Sequence, residues 1–221
     1  PYGRVCHLQP VDWSSGWPVM GNAGEPYWKF RKPKSDSKTI VNPVETDEFD
    51  SSKLGMQWQW QNDYKESYGQ ATSMGFFRLF TYALPELGDV SNLWYVPNML
   101  LQKIPADEFT ATTKLSFCSR NSDQYVGLVC MSAEYSSVGL QRTEDGYELQ
   151  IRHNPNAMRT HLTDEVLTVD TLKPTQKGTP RKGRPAEMHI KDVYLRMSIK
   201  DSKVNLSLIH ISEPTRPRLI S

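Results

Sequence analysis

The sequence predicts an all-β protein built around an antiparallel β-sandwich, and three observations carry that reading. No stretch of about twelve residues or more repeats its apolar positions at the helical period. Several segments alternate apolar and polar residues with a period of two, and turn signals rich in Gly, Asn and Asp separate them. With 221 residues, 38% of them hydrophobic and 10% aromatic, the chain is long enough for one large or two small domains.

The first elements lie in PYGRVCHLQPVDWSSGWPVMGNAGEPYW. Apolar runs at 5–8 and 17–20 surround turn signals at 14–16 and precede another at 22–24, which predicts a strand, a turn and a second strand. A hairpin of that size cannot bury Trp13, Trp17, Tyr27 and Trp28, so residues 1–29 are expected to belong to something larger, and the opening Pro1-Tyr2 reads as mid-protein. From Phe30 the composition turns to Lys, Ser, Asp and Pro (FRKPKSDSKTIVN). Residues 30–44 are therefore a linker or, on composition alone, a surface loop within one domain.

The sandwich is expected over 45–206. In 111–118 the odd positions Ala111, Thr113, Leu115 and Phe117 form a dry face, and Thr112, Lys114 and Ser116 a wet one. Tyr147, Leu149 and Ile151 oppose Glu148, Gln150 and Arg152; Val193, Leu195, Met197 and Ile199 oppose Tyr194, Arg196, Ser198 and Lys200. Each is predicted to be a half-buried antiparallel strand. Residues 125–131 are apolar on both faces, with Gly127 allowing close approach of a neighbour, and are predicted to be a central strand. Glu144, Asp145 and Gly146 place a hairpin turn between 135–142 and the strand that follows. Residues 207–221 (SLIHISEPTRPRLIS) show neither alternation nor a helical pattern, and they look like the translation of a sequencing-library adapter. They are set aside as non-native; without them the formal charge of +1 falls to zero.

Charge and motifs narrow the function. The balance of 26 basic against 25 acidic residues lacks the cationic field that nucleic acids or anionic membranes attract, and no apolar run approaches the roughly 20 residues of a bilayer span. Cys6, Cys118 and Cys130 form no CxxC and no Cys/His cluster in sequence, so neither a disulfide framework nor a structural zinc site is indicated, and they are expected to be small buried hydrophobes. The unpaired cysteines lean toward a reducing compartment. His7, His153, His161, His189 and His210 show no HExxH, and GxSxG, GxGxxG and Walker patterns are absent, which leaves zinc hydrolase, serine nucleophile and nucleotide chemistry without motif support.

Three features remain. Glu45, Asp47, Glu48 and Asp50 are a solvated strand entry or a calcium site with Asp47 as the leading ligand. Trp58 and Trp60, two apart in LGMQWQWQND, would point both indoles to one face of a strand, as a sugar-stacking platform requires and as packing would equally produce. The loop 173–184 (KPTQKGTPRKGR), with five cations among Pro and Gly, reads as a solvated connection, with acidic polysaccharide as its alternative partner.

GRVCHLQPVDWSSGWPVMGNAGEP, residues 3–26, resembles the closing strands of the five-bladed β-propeller in glycoside hydrolase family 43. DEFDSSKLGMQWQWQND, then ATTKLSF, DQYVGLVCM, SSVGLQRTEDG and VYLRMSI resemble the concanavalin A-like sandwich, a jelly roll, that follows that propeller in β-xylosidases and α-L-arabinofuranosidases. The resemblance implies an inverting hydrolase that releases terminal xylose or arabinose from xylo- or arabino-oligosaccharides, with its carboxylates in the earlier propeller blades and hence outside this chain. It implies a sandwich, incomplete at its C-terminus, that packs on the protein's own upstream propeller and helps shape the pocket. The fragment alone would be inactive and, with sheet edges bared, aggregation-prone. Gly3-Arg4 matches a pair whose arginine points into the active site, and His7 matches a strand position near a central calcium. No cofactor is required on this reading, and a structural calcium is the one candidate ion. Relatives occur in the bacterial cytoplasm and outside the cell. The alternative from another class is a carbohydrate-binding module using Trp58 and Trp60, and a third is a sandwich that only mediates contacts.

Overall fold

The computed structural model describes residues 7–34, 39, 44–83, 92–158, 163–182, 184–201 and 203–210. The chain divides into two compact units, Pro1–Pro43 and Val44–Ser221.

In the first unit, β1 (Val11–Asp12) pairs antiparallel with β2 (Val19–Met20), with Val11 opposite Met20. The strand expected at 5–8 is not formed by its described part: Leu8 is exposed and outside any strand, and the ladder starts at Val11. The local reason is Asp12, whose carboxylate accepts from the Ser14 backbone N–H at 2.9 Å and the Ser14 hydroxyl at 2.8 Å. These bonds lower the Asp12 carboxyl from its ordinary value and start the turn there. Trp13, Trp17 and Trp28 are exposed, the last at 97%.

The second unit begins with short pieces: β3 (Gln59–Trp60), β4 (Gly69–Ala71), β5 (Phe77–Leu79) and β6 (Leu100–Leu101), paired β3 with β6 and β4 with β5. Long strands follow. β7 (Phe109–Ser119), β12 (Gln176–Lys177), β13 (Met188–Lys200) and β14 (Lys203–His210) form one sheet in which β13 pairs with the other three. β8 (Tyr125–Cys130), β9 (Tyr135–Arg142), β10 (Tyr147–Asn154) and β11 (Glu165–Leu172) form the other, in the order β11-β10-β9-β8. All pairings are antiparallel.

Alternation decides which face of each strand is dry. Phe117, Met188, Ile190, Val193, Leu195, Met197, Ile199 and Leu206 from the first sheet meet Val138, Leu140, Tyr147 and Leu149 from the second in one buried cluster. This is a sandwich core closed between two sheet faces. The Tyr147 hydroxyl, inside that core, donates to the Met188 carbonyl at 2.7 Å, so its polar tip is satisfied.

Two expectations are corrected. Residues 125–131 were expected to be central, yet β8 is an edge strand among the described residues. The close approach that Gly127 allows is to Gly139 of β9 directly opposite, and the Tyr125 ring folds over this glycine pair. Val126, Leu128 and Cys130 of β8 pack against the core, which accounts for its apolar character. The expectation that 207–221 stands outside the fold is corrected for Ser207, Leu208, Ile209 and His210, which complete β14, with Arg196 opposite Ser207 and Leu195 opposite Leu208; 211–221 lie outside the described residues. Leu206, just before Ser207 in the same strand, is 6% exposed.

Candidate functional site

The predicted site residues fall in three places. Arg4 lies outside the described residues. His7 is exposed in the first unit. Asp47, Trp58 and Trp60 come together in the second unit.

Asp47 is a hydrogen-bond hub. Its Oδ1 accepts from the Phe49 backbone N–H at 2.8 Å, and its Oδ2 accepts from Trp58 Nε1 at 2.7 Å and Gln57 Nε2 at 3.2 Å. Phe49, which takes a positive φ of 56° beside this hub, stacks on Trp58 with centroids 5.5 Å apart and meets Phe77 at 5.7 Å. Phe77 in turn meets Trp60 at 6.0 Å, and Trp60 contacts Tyr64 and Tyr68, each at 5.7 Å. Both indoles are half-buried in this chain of rings. Such offset and tilted contacts are what quadrupolar rings adopt when they pack on one another.

A calcium ion wants six to eight oxygen ligands. Both Asp47 oxygens are already engaged by protein donors, and among the described residues no group of three or more His, Cys, Asp or Glu ligand atoms forms around Asp47 or His7.

A different constellation lies on the outer face of the first sheet. Cys118 of β7 stands directly opposite His189 of β13, and Glu187 precedes β13. Cys118 Sγ donates to Glu187 Oε1 at 3.0 Å and lies 3.5 Å from His189 Nε2, which is itself 3.0 Å from the same Oε1. Arg120 grips the other oxygen, Oε2, through Nε at 2.8 Å and Nη2 at 2.6 Å. The thiol of Cys118 and the guanidinium of Arg120 hold Glu187 down to about 2. Partial burial of the sulfur, then the Glu187 carboxylate, push the Cys118 thiol up to about 11. An open cleft of about 340 Å³ borders the group, lined by Cys118, Ser119, Arg120, Asn121, Gln124 and Glu187.

This corrects, for Cys118, the expectation of a small buried hydrophobe; Cys130 packs against the core, and Cys6 lies outside the described residues. Cys118 is exposed and Cys130 is half-buried, both as free thiols. The alternation of 111–118 already places Cys118 on the wet face. What the sequence could not supply was its neighbours, 69 and 71 residues away.

Two stacked antiparallel sheets with a shared core define the class: a β-sandwich. Residues 46–214 match the family described as β-xylosidase C-terminal concanavalin A-like domain, and the chain belongs to that family. A protein of Xylanibacter ruminicola that carries the name β-xylosidase is 34% identical over 145 residues, covering 62% of this chain and 26% of the relative. A β-xylosidase of Formosa agariphila is 29% identical over 65% of this chain and 28% of its own length. The chain thus spans little more than a quarter of these curated relatives. Among solved structures, a xylan β-1,4-xylosidase from Bacillus halodurans superposes with a TM-score of 0.61 at 17% identity, covering 96% of this chain and 37% of that one, a likeness of fold. The expected all-β, concanavalin A-like architecture is the one found.

Proposed function

We propose that the chain is the rear part of a glycoside hydrolase that releases terminal xylose or arabinose, its sandwich serving as a wall that packs on an upstream propeller and narrows the substrate pocket. The observation that carries this is the match of residues 46–214 to a domain that sits at the C-terminal end of β-xylosidases. The exposed Trp13, Trp17 and Trp28 support it, since indoles left bare in a small unit are the surface a larger domain would cover. In this reading the general acid and the base that activates water lie upstream, Arg4 reaches the pocket as a fixed cationic fork, no cofactor takes part, and the 221-residue chain alone does not hydrolyse glycosides. The free thiols Cys118 and Cys130 suit a reducing compartment.

A binding module built on Trp58 and Trp60 has weaker support, because the Trp58 N–H is committed to Asp47 and both indoles pack against neighbouring rings. The test joins this chain to the upstream blades of a family 43 propeller, so that residues 1–29 supply its closing strands, and follows release of 4-nitrophenol from aryl β-xyloside and aryl α-arabinofuranoside. Activity of the joined protein, loss of it in Arg4→Ala, and none from the isolated chain are expected. Hydrolysis by the isolated chain would overturn the proposal, and so would retardation of that chain in xylan gels that a Trp58→Ala, Trp60→Ala variant abolishes.

A further inference from the structure

We propose that Cys118, Glu187 and His189 form a three-ligand site for a zinc-class divalent cation on the outer face of the sandwich, with a fourth position open to solvent. Three geometric facts carry it.

The first is convergence. Sγ, Oε1 and Nε2 are separated by 3.0, 3.5 and 3.0 Å. Ligand atoms around tetrahedral zinc, with bonds of about 2.0–2.3 Å, stand about 3.4–3.6 Å apart, so each separation needs to widen by about half an ångström at most. The set is also chemically matched: one thiolate, one imidazole and one carboxylate suit a borderline-soft ion and not a hard one such as calcium.

The second is that the same contacts do not make a nucleophilic relay. In a Cys/His pair oriented by an acid, the imidazole uses one nitrogen for sulfur and the other for the carboxylate. Here a single nitrogen, Nε2, lies within 3.5 Å of both groups, so the three ligand atoms form one cluster.

The third is the support around them. Cys118 and His189 are cross-strand partners in a long ladder, and the Tyr147 hydroxyl holds the Met188 carbonyl between Glu187 and His189 from the core side. Arg120 occupies Oε2 and leaves Oε1 turned toward the other two ligands, an outer contact of the kind that orients metal-binding carboxylates. The open corner faces the cleft.

Cobalt(II), a spectroscopic stand-in for zinc, is titrated into the metal-free 221-residue chain. A thiolate-to-cobalt charge-transfer band with tetrahedral d–d intensity should appear at one ion per chain, disappear on adding zinc, persist in Cys130→Ser and be lost in Cys118→Ser. His189→Ala should weaken zinc binding by at least tenfold in competition against a chromophoric chelator while leaving the far-ultraviolet circular dichroism unchanged. Absence of the band at saturating cobalt overturns the site. So does a band that survives Cys118→Ser, or zinc affinity that His189→Ala leaves unmoved.

Discussion

The strands from β7 onward and the stretch 44–101 are joined in one unit, yet different physics holds each. In the sandwich, backbone ladders that, apart from the two-residue β12, run six to thirteen residues carry the alternating side chains, and Leu140, Val193 and Leu195 are fully excluded from solvent. In 44–101 the strands are two or three residues long, and the organisation comes from a chain of aromatic rings and one hub carboxylate. The difference teaches that a regular ladder spreads its stability over many interchangeable contacts of one kind, whereas an irregular segment concentrates it in a few particular side chains.

That contrast can be broken at the core first. Leu195→Ala removes a side chain at 0% exposure from the middle of β13 and should cost about 2–5 kcal/mol, read as a lower urea midpoint with little change in slope. Gly139→Ala should cost about 1–3 kcal/mol, because the added methyl would meet the Val126 carbonyl and the Tyr125 ring across the strand pair. On the irregular side, Asp47→Ala orphans the Trp58 N–H, the Gln57 amide and the Phe49 N–H together. A loss of about 1–3 kcal/mol is expected, with a change in tryptophan fluorescence that Leu195→Ala at equal denaturation does not produce. Smallest of all should be Lys114→Met, which breaks the ion pair with Asp192 at 2.7 Å. Both side chains are more than half exposed, so the midpoint should stay within error.

Chemistry sharpens the same contrast on the outer face. Cys118 is exposed but its thiol is pushed up to about 11, so at pH 8 it should alkylate with iodoacetamide more slowly than a free thiol. Glu187→Gln removes the carboxylate that contributes to this shift and should speed the reaction, as followed by mass spectrometry.

How far the sequence reveals this molecule follows the same divide. Period-two alternation exposes β7, β10 and β13, and β9 is bounded at Tyr135–Arg142 by the turn residues that follow it. β11 escapes because it is an edge strand with most positions exposed, Val166 and Leu167 among them, so no dry face marks it. β14 escapes because its second half, Ser207–His210, runs into a proline-bearing stretch with no alternation of its own. The aromatic spacing marks Trp58 and Trp60 as companions, but the partners that occupy them, Asp47, Phe49 and Phe77, depend on chain reversals that no local pattern announces. The Cys118, Glu187 and His189 group needs the register of β7 on β13, which is interrupted between Ile190 and Val193 where Asp192 takes a positive φ of 59°. A register break of that kind shifts every pairing on one side of it, so the cluster becomes visible only in three dimensions.

The most direct measurement on the sandwich's role compares two forms of the joined enzyme, with and without residues 44–221, on xylobiose and on longer xylo-oligosaccharides. If the sandwich walls the pocket, its removal raises KM severalfold for the disaccharide and flattens the preference for short substrates. Identical kcat/KM profiles for the two forms would contradict it.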